Sequence, residues 1–251
     1  MIFFLYNIMQ FNRKLAIFFY IIIIIGIILY LNYNKGKQFK SCNSCPTNKI
    51  RYIKYNLPSS NIIFKLENVI KKTGDSLNPK LNLSNAKGKK LDYISIKKNI
   101  PEIIDFYLAN ELLEKANKTL NKKLNFAPES ERYRIFVRLY ENENDFLNWH
   151  YDNNFTAGKR YTLILPLIID DCNTSEFQIK DRKDSTIKEF KIKLGEGVIY
   201  NGTNVYHRIT KQNKYCRRLV VIIPLYENYN ISLLGNTRKL IRDITDKTIT
   251  I

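Results

Sequence analysis

Only two of the 251 residues are histidine, His150 and His207. A metal site built on imidazole can therefore draw on no others. The four cysteines are Cys42, Cys45, Cys172 and Cys216. Cys42 and Cys45 form a lone CNSC with no second pair at matching spacing, and a closed structural zinc site needs four ligands. A thioredoxin-like motif would be followed by a βαβ pattern, whereas a polar, lysine-rich stretch follows here. A local disulfide or two idle thiols is the expected state of that pair, and the redox compartment stays open. Glycine (9) and proline (7) are scarce, no internal repeat is present, and no compact arginine-rich recognition segment occurs.

What is abundant is lysine, asparagine and isoleucine. The 41 Lys and Arg against 23 Asp and Glu give a net charge of +18. Such an excess invites a nucleic-acid reading. Compositional bias and an ordinary solvated surface explain it more simply, so nucleic acid is not an expected partner, though it is kept as an alternative. Sequons of the form N-x-S/T at Asn82, Asn117, Asn154, Asn173, Asn201 and Asn230 are expected by chance in an asparagine-rich chain and argue little for secretion.

Residues 15–31, LAIFFYIIIIIGIILYL, carry no charge, and the uncharged run continues to Asn34. That length crosses a bilayer as a helix, with Tyr30 and Tyr33 suited to the interface. The run is long and leads into NYNKGKQFK rather than into small cleavage-site residues, which favours a retained anchor over a signal peptide. The expectation is a single-pass membrane protein touching lipid through residues 1–34. The membrane side stays open, because Lys and Arg flank both ends. A basic linker is expected over 35–60, a globular domain over 61–235 and a polar tail over 236–251.

Within the globular part, Pro101 suits a helix start, and IPEIIDFYLANELLEKANKTL reads as one amphipathic supporting helix. After Pro128 the pattern changes to short strand-like runs separated by turn-like breaks such as ENEND, NNFTAG and KQNK. The runs are RYRIFVRLY, FLNWHYD, RYTLILPLIID, SEFQIKD, TIKEFKIKL, GVIYNG, NVYHRIT and RRLVVIIPLY. This punctuation predicts a β-sandwich or barrel with supporting helices.

His150 and Asp152 stand two apart in WHYD. On an extended strand such residues share a face, so an imidazole and a carboxylate project together. His207, in VYHRIT, is the one remaining imidazole. Two histidines and one carboxylate on one side of a divalent iron leave positions open for cosubstrate and dioxygen. An isolated HxD arises by chance often enough to mean little. Its strength here lies in a second strand-borne histidine with basic residues beyond it.

WHYD, VYHRIT and YCRRLVVIIPL together resemble the Fe(II)/2-oxoglutarate-dependent dioxygenases, in particular the prolyl-hydroxylase-like branch. The resemblance covers about residues 95–228. It implies a mainly β double-stranded β-helix (jelly-roll, cupin-like) with supporting α-helices, here preceded by the N-terminal transmembrane helix. It implies His150, Asp152 and His207 as metal ligands and catalytic centre, and a cosubstrate-binding arginine near ten residues past the distal histidine. Arg217 fits that spacing better than Arg218, which would face the other way on a strand. Tyr140 and Thr162 fall where the family's further cosubstrate contacts stand. Pro166 occupies a position where some hydroxylases of the branch carry tyrosine. Gly195 and Gly197, in LGEGVIYNG, resemble the turn before the distal-histidine strand, and Trp149 reads as core. The implied partners are Fe(II), 2-oxoglutarate, dioxygen, ascorbate as accessory reductant, and a protein or peptide substrate hydroxylated on a prolyl- or lysyl-type carbon. The alternatives are a catalytically silent binding barrel, a nucleic-acid oxidative demethylase and a zinc hydrolase.

Overall fold

The run RLVVIIPLY has no polar face, and the reason is structural: it forms β12 (Arg218–Tyr226), every residue of which is buried. The computed structural model describes residues 50–77, 86–181, 185–231, 235–237, 239 and 240. In them the chain forms β1 (Arg51–Lys54), α1 (Ser60–Thr73), β2 (Asp75–Leu77), β3 (Ala86–Leu91), α2 (Tyr93–Asn99), α3 (Glu102–Tyr107) and α4 (Asn110–Leu120). There follow β4 (Asn125–Phe126), β5 (Phe136–Tyr140), β6 (Phe146–His150), β7 (Arg160–Ile169), β8 (Phe177–Lys180), β9 (Ile187–Phe190), β10 (Glu196–Tyr200), β11 (Tyr206–Ile209) and β12.

The strands pair antiparallel in the order β1-β10-β7-β12-β5-β3-β6-β11-β8-β9, with β2 on β3 and β4 on β12. The sheet curls on itself as a half-barrel of jelly-roll character. A larger leaf runs from β1 to β3, and a smaller leaf holds β6, β11, β8 and β9. β3 joins the two, pairing with β5 through Lys89–Leu91 and with β6 through Ala86 and Lys87.

Strand alternation sorts the larger leaf into two faces. Val137 and Leu139 of β5, Leu163 and Leu165 of β7, and Leu219, Val221 and Ile223 of β12 meet Leu66, Ile70, Ile96, Ile103, Tyr107 and Ala116 of the four helices. Burying each large side chain here stabilises by roughly 1.5–3 kcal/mol. The opposite face carries Phe136, Tyr140, Ile164, Tyr200, Val220 and Ile222, which meet Leu147, Phe177, Ile179 and Ile209 of the smaller leaf. The space between the leaves is the cavity described below.

Local signals fix the helices. Ser59 caps α1 by accepting from the Ile62 amide, and Asp92 caps α2 by accepting from the Ser95 amide at 2.9 Å. α4 ends where Asn121 takes a left-handed conformation, φ 52°. The single helix expected over 101–120 is two, because Leu108 and Ala109 leave helical geometry between α3 and α4. Of the stretch 35–60, read as a linker, residues 50–60 are described. Residues 51–54 are β1, paired with Glu196–Ile199 of β10, and α1 begins at Ser60. Ile53 fills the core while its neighbours Tyr52 and Lys54 face outward.

The expected single-pass membrane placement is corrected as well. No helix among the described residues is long and apolar enough to cross a membrane. The stretch 15–31 on which that expectation rested, and the CNSC pair, lie outside the described residues, as does most of the tail after 236.

Candidate metal and cosubstrate site

His150 ends β6 and stands directly opposite His207 of β11. Ile209 pairs with Leu147, so the register shifts between the two pairs. Leu147 and His150 are three apart, and on a regular strand they would face opposite sides. The irregularity at Asn148–Trp149 lets both point into the cavity, which is what a β-bulge does beside a site. Asp152 lies just beyond the strand. Its amide donates to the Gly202 carbonyl at 2.9 Å, so this loop holds the carboxylate beside the two rings.

Each imidazole is fixed from behind. Nδ1 of His150 donates to the Asn148 carbonyl at 2.8 Å, and Nδ1 of His207 to the Val205 carbonyl at 2.9 Å. The Nε2 atoms of both rings thereby stand near Asp152. Asp152 Oδ1 is 3.6 Å from His150 Nε2 and 3.8 Å from His207 Nε2, and the ring centroids are 4.1 Å apart. One donor atom from each residue lies within 4.8 Å of the others. The other carboxylate oxygen, Oδ2, accepts a hydrogen bond from the Thr162 hydroxyl. The Tyr200 hydroxyl donates to His207 Nε2 at 3.0 Å.

The electrostatics favour a metal-ready protonation state. Burial by itself would raise Asp152, but the Arg160 guanidinium and then the two imidazoles hold it well below the usual carboxylate range. Burial and the neighbouring His150 push His207 down to about 3, so its ring is neutral. Burial and the Asp152 charge raise the Tyr200 phenol, keeping it a donor. One carboxylate oxygen and two imidazole nitrogens, each ring backed by a hydrogen bond, form the donor set of a 2-His-1-carboxylate metal site. Gly202 completes the cradle, since a Cβ there would overlap Asp152 Oδ2 and sit 2.6 Å from Thr162 Oγ1.

The cavity runs from these ligands between the leaves, lined by Thr162 and Ile164 of β7, Phe136, Arg138 and Tyr140 of β5, and Arg218, Val220 and Ile222 of β12. Across the strands Ile222 pairs with Phe136, Val220 with Arg138 and Arg218 with Tyr140. Arg218 therefore lies at the end far from the metal ligands. It is buried, and its guanidinium donates to the Ser175 carbonyl at 3.3 Å and to the Ser175 hydroxyl at 3.4 Å.

Of the two arginines, Arg217 was preferred on spacing, and it is Arg218 that lines the cavity. Arg217 shares the helix-side face with Leu219 and has a half-exposed side chain, 45%. It pairs with Asp170 at 3.0 Å and Glu67 at 3.2 Å. Tyr140 and Thr162 do lie in the cavity wall. Trp149 is half-buried on the outer face, stacked on Tyr206 at 5.3 Å with Arg208 over its ring. Gly195 takes φ +75°, and a Cβ on Gly197 would come within 2.7 Å of the Ile164 carbonyl, so both glycines answer backbone demands.

Sequence reasoning missed Arg138, Arg160, Tyr200, Gly202 and the Cys172–Cys216 disulfide. That bridge, with Cα atoms 5.9 Å apart, ties the loop before β8 to the residue preceding the two arginines. Only the alternation of RIFVRLY, which sets Arg138 and Tyr140 on one side, could have signalled any of them.

No protein-family model matches the sequence, and no curated protein is similar to it. Solved structures are similar in fold. The 2-oxoglutarate-dependent epimerase SnoN of nogalamycin biosynthesis is 10% identical with a TM-score of 0.54, over 73% of this chain and 81% of that one. The carbocyclase SnoK of the same biosynthesis is 11% identical with a TM-score of 0.54, over 76% and 86%. An oxidoreductase of the 2OG-Fe(II) oxygenase family from Burkholderia pseudomallei is 8% identical with a TM-score of 0.53, over 74% and 89%. The chain therefore has the fold of 2-oxoglutarate/Fe(II) oxygenases.

Proposed function

We propose that the protein is an Fe(II)/2-oxoglutarate-dependent dioxygenase. It hydroxylates a substrate carbon and decarboxylates 2-oxoglutarate to succinate. The observation that carries this reading is the convergence of His150, Asp152 and His207, with both Nδ1 atoms tied back to carbonyls. The donor chemistry fits Fe(II), and the cavity beyond it ends in a buried arginine, which fits a dicarboxylate.

Bound iron would supply dioxygen activation, the step no side chain here can perform. The chain's own residues do the rest. Thr162 and Arg160 hold Asp152 ionised and fixed in orientation. Arg218, with Tyr140 opposite it, receives the far carboxylate of 2-oxoglutarate and sets how deep the cosubstrate sits. Ile164, Val220 and Ile222 line the path with hydrocarbon and exclude water from the reacting end. The substrate is a protein or peptide side chain of prolyl or lysyl type, with ascorbate as accessory reductant. Support for that class comes from the motif resemblance.

The test is succinate formation by the full chain with Fe(II), 2-oxoglutarate and ascorbate, with and without proline- or lysine-containing peptides. Peptide-stimulated succinate and a 16-Da mass gain on the peptide (one oxygen atom, roughly the increment of any hydroxylation) support the reading. Absence of succinate under every condition rejects it.

A further inference from the structure

The cavity holds a second guanidinium besides Arg218, and it was not anticipated. Arg138 stands on β5 opposite Val220, one step nearer the metal ligands than the Arg218–Tyr140 pair. Its Nη1 donates to the Tyr140 hydroxyl at 3.3 Å. Its Nε, like that of Arg218, is buried with no hydrogen-bond partner. No described carboxylate lies within ion-pair distance of either guanidinium. Arg217, by contrast, has both Asp170 and Glu67. Buried cations are normally paired, because an uncompensated charge away from water is costly. Asp152 does not fill the need, since its carboxylate is turned to the two imidazoles and the Thr162 hydroxyl. Arg138 lines the same cavity as His207 and Asp152.

We propose that Arg138 is a second carboxylate-binding group. It takes the carboxylate at the metal end of the cosubstrate while Arg218 takes the far one. This rests on the cosubstrate reading above and deepens it. Two unpaired guanidiniums at successive levels of one narrow cavity match the two charges of a dicarboxylate, and guanidinium binds carboxylate in a directed, charge-assisted way. Two consequences follow from charge alone. The metal-free protein binds 2-oxoglutarate, because its carboxylates have partners that are not the metal. Succinate, also a dianion, is held by the same pair and inhibits as a product.

Isothermal titration of the full-length, metal-free protein tests this with 2-oxoglutarate, succinate and 2-oxobutyrate, which lacks the far carboxylate. Wild type is expected to bind both dicarboxylates. Arg138→Met is expected to weaken 2-oxoglutarate by about tenfold or more, with partial rescue in Arg138→Lys. Binding of 2-oxobutyrate should depend on Arg138 and be indifferent to Arg218→Met. Thermal unfolding and circular dichroism of each variant confirm that it is folded, and Arg138→Lys carries the test should the methionine variant fail. Unchanged binding of 2-oxoglutarate in a folded Arg138 variant overturns the assignment. So does a loss confined to ligands that bear the far carboxylate. Wild type that binds 2-oxoglutarate only after loading with Mn(II) overturns this proposal and leaves the cosubstrate reading standing. Wild type that binds none with or without metal overturns that reading itself.

Discussion

Arg217 and Arg218 are neighbours in the chain and lie on opposite sides of one sheet. The first has a side chain 45% exposed and pairs with Asp170 and Glu67. The second is 4% exposed and closes the inner end of the cavity. Arg217 immediately precedes β12 and Arg218 begins it; of the two, Arg218 lines the cavity between the leaves.

Substitution should separate them. Arg218→Met is expected to raise the 2-oxoglutarate dissociation constant roughly 10- to 100-fold, the scale of a lost charged hydrogen-bond pair. Arg217→Ala should leave that constant within about twofold and cost on the order of 1 kcal/mol of stability, since its ion pairs are partly solvated. Titration calorimetry and thermal melts report both. Equal effects on binding would remove the assignment.

Gly202 should tolerate no side chain. A Cβ there meets Asp152 Oδ2 and Thr162 Oγ1, so Gly202→Ala displaces the carboxylate from the two rings. Mn(II) affinity, read by electron paramagnetic resonance, is expected to fall about 10- to 100-fold in a protein that still melts cooperatively. Unchanged affinity would place Asp152 outside the metal's ligand set.

Acid should destabilise the metal-free protein through His207. Its folded pKa is lowered from 6.5 to about 3, so the unfolded state takes up a proton that the folded state refuses. The stabilisation is complete above pH 6.5 and is lost as pH falls toward 3. Asp152, also lowered, acts in the same direction at the acid end. Urea midpoints across this range should decline, with a shallower decline in His207→Gln. Parallel pH dependences in the two proteins would contradict the buried, neutral state of this ring.

The Cys172–Cys216 bridge should matter twice. It closes a segment of sequence separation 44, for which about 2–4 kcal/mol of stability is typical. It also anchors the loop whose Ser175 carbonyl and hydroxyl accept from Arg218, beside Gln212, which bonds both Asn173 and the Cys216 carbonyl. Cys172→Ser is expected to lower the melting temperature and to weaken 2-oxoglutarate binding severalfold. Tight binding in a destabilised protein would show the bridge to be structural only.

Much of this was legible before any coordinates. The strands from RYRIFVRLY to RRLVVIIPLY stand where their punctuation set them, and His150, Asp152 and His207 converge. β3 was not legible, because AKGKKL carries no alternation of apolar residues yet joins the two leaves. Nor was the facing of Arg218. β12 is buried on both sides, so nothing apolar or polar alternates along it to reveal which neighbour turns inward. The inward turn of His150 depends on a register shift at Asn148–Trp149 that no residue pattern announces.

The most direct test of the central claim is the visible absorbance of the anaerobic Fe(II)-loaded protein on adding 2-oxoglutarate. A new charge-transfer band is expected in wild type, absent in Asp152→Ala and in His207→Ala. No band in wild type, or a band that persists unchanged in both variants, would contradict an iron centre at these three residues.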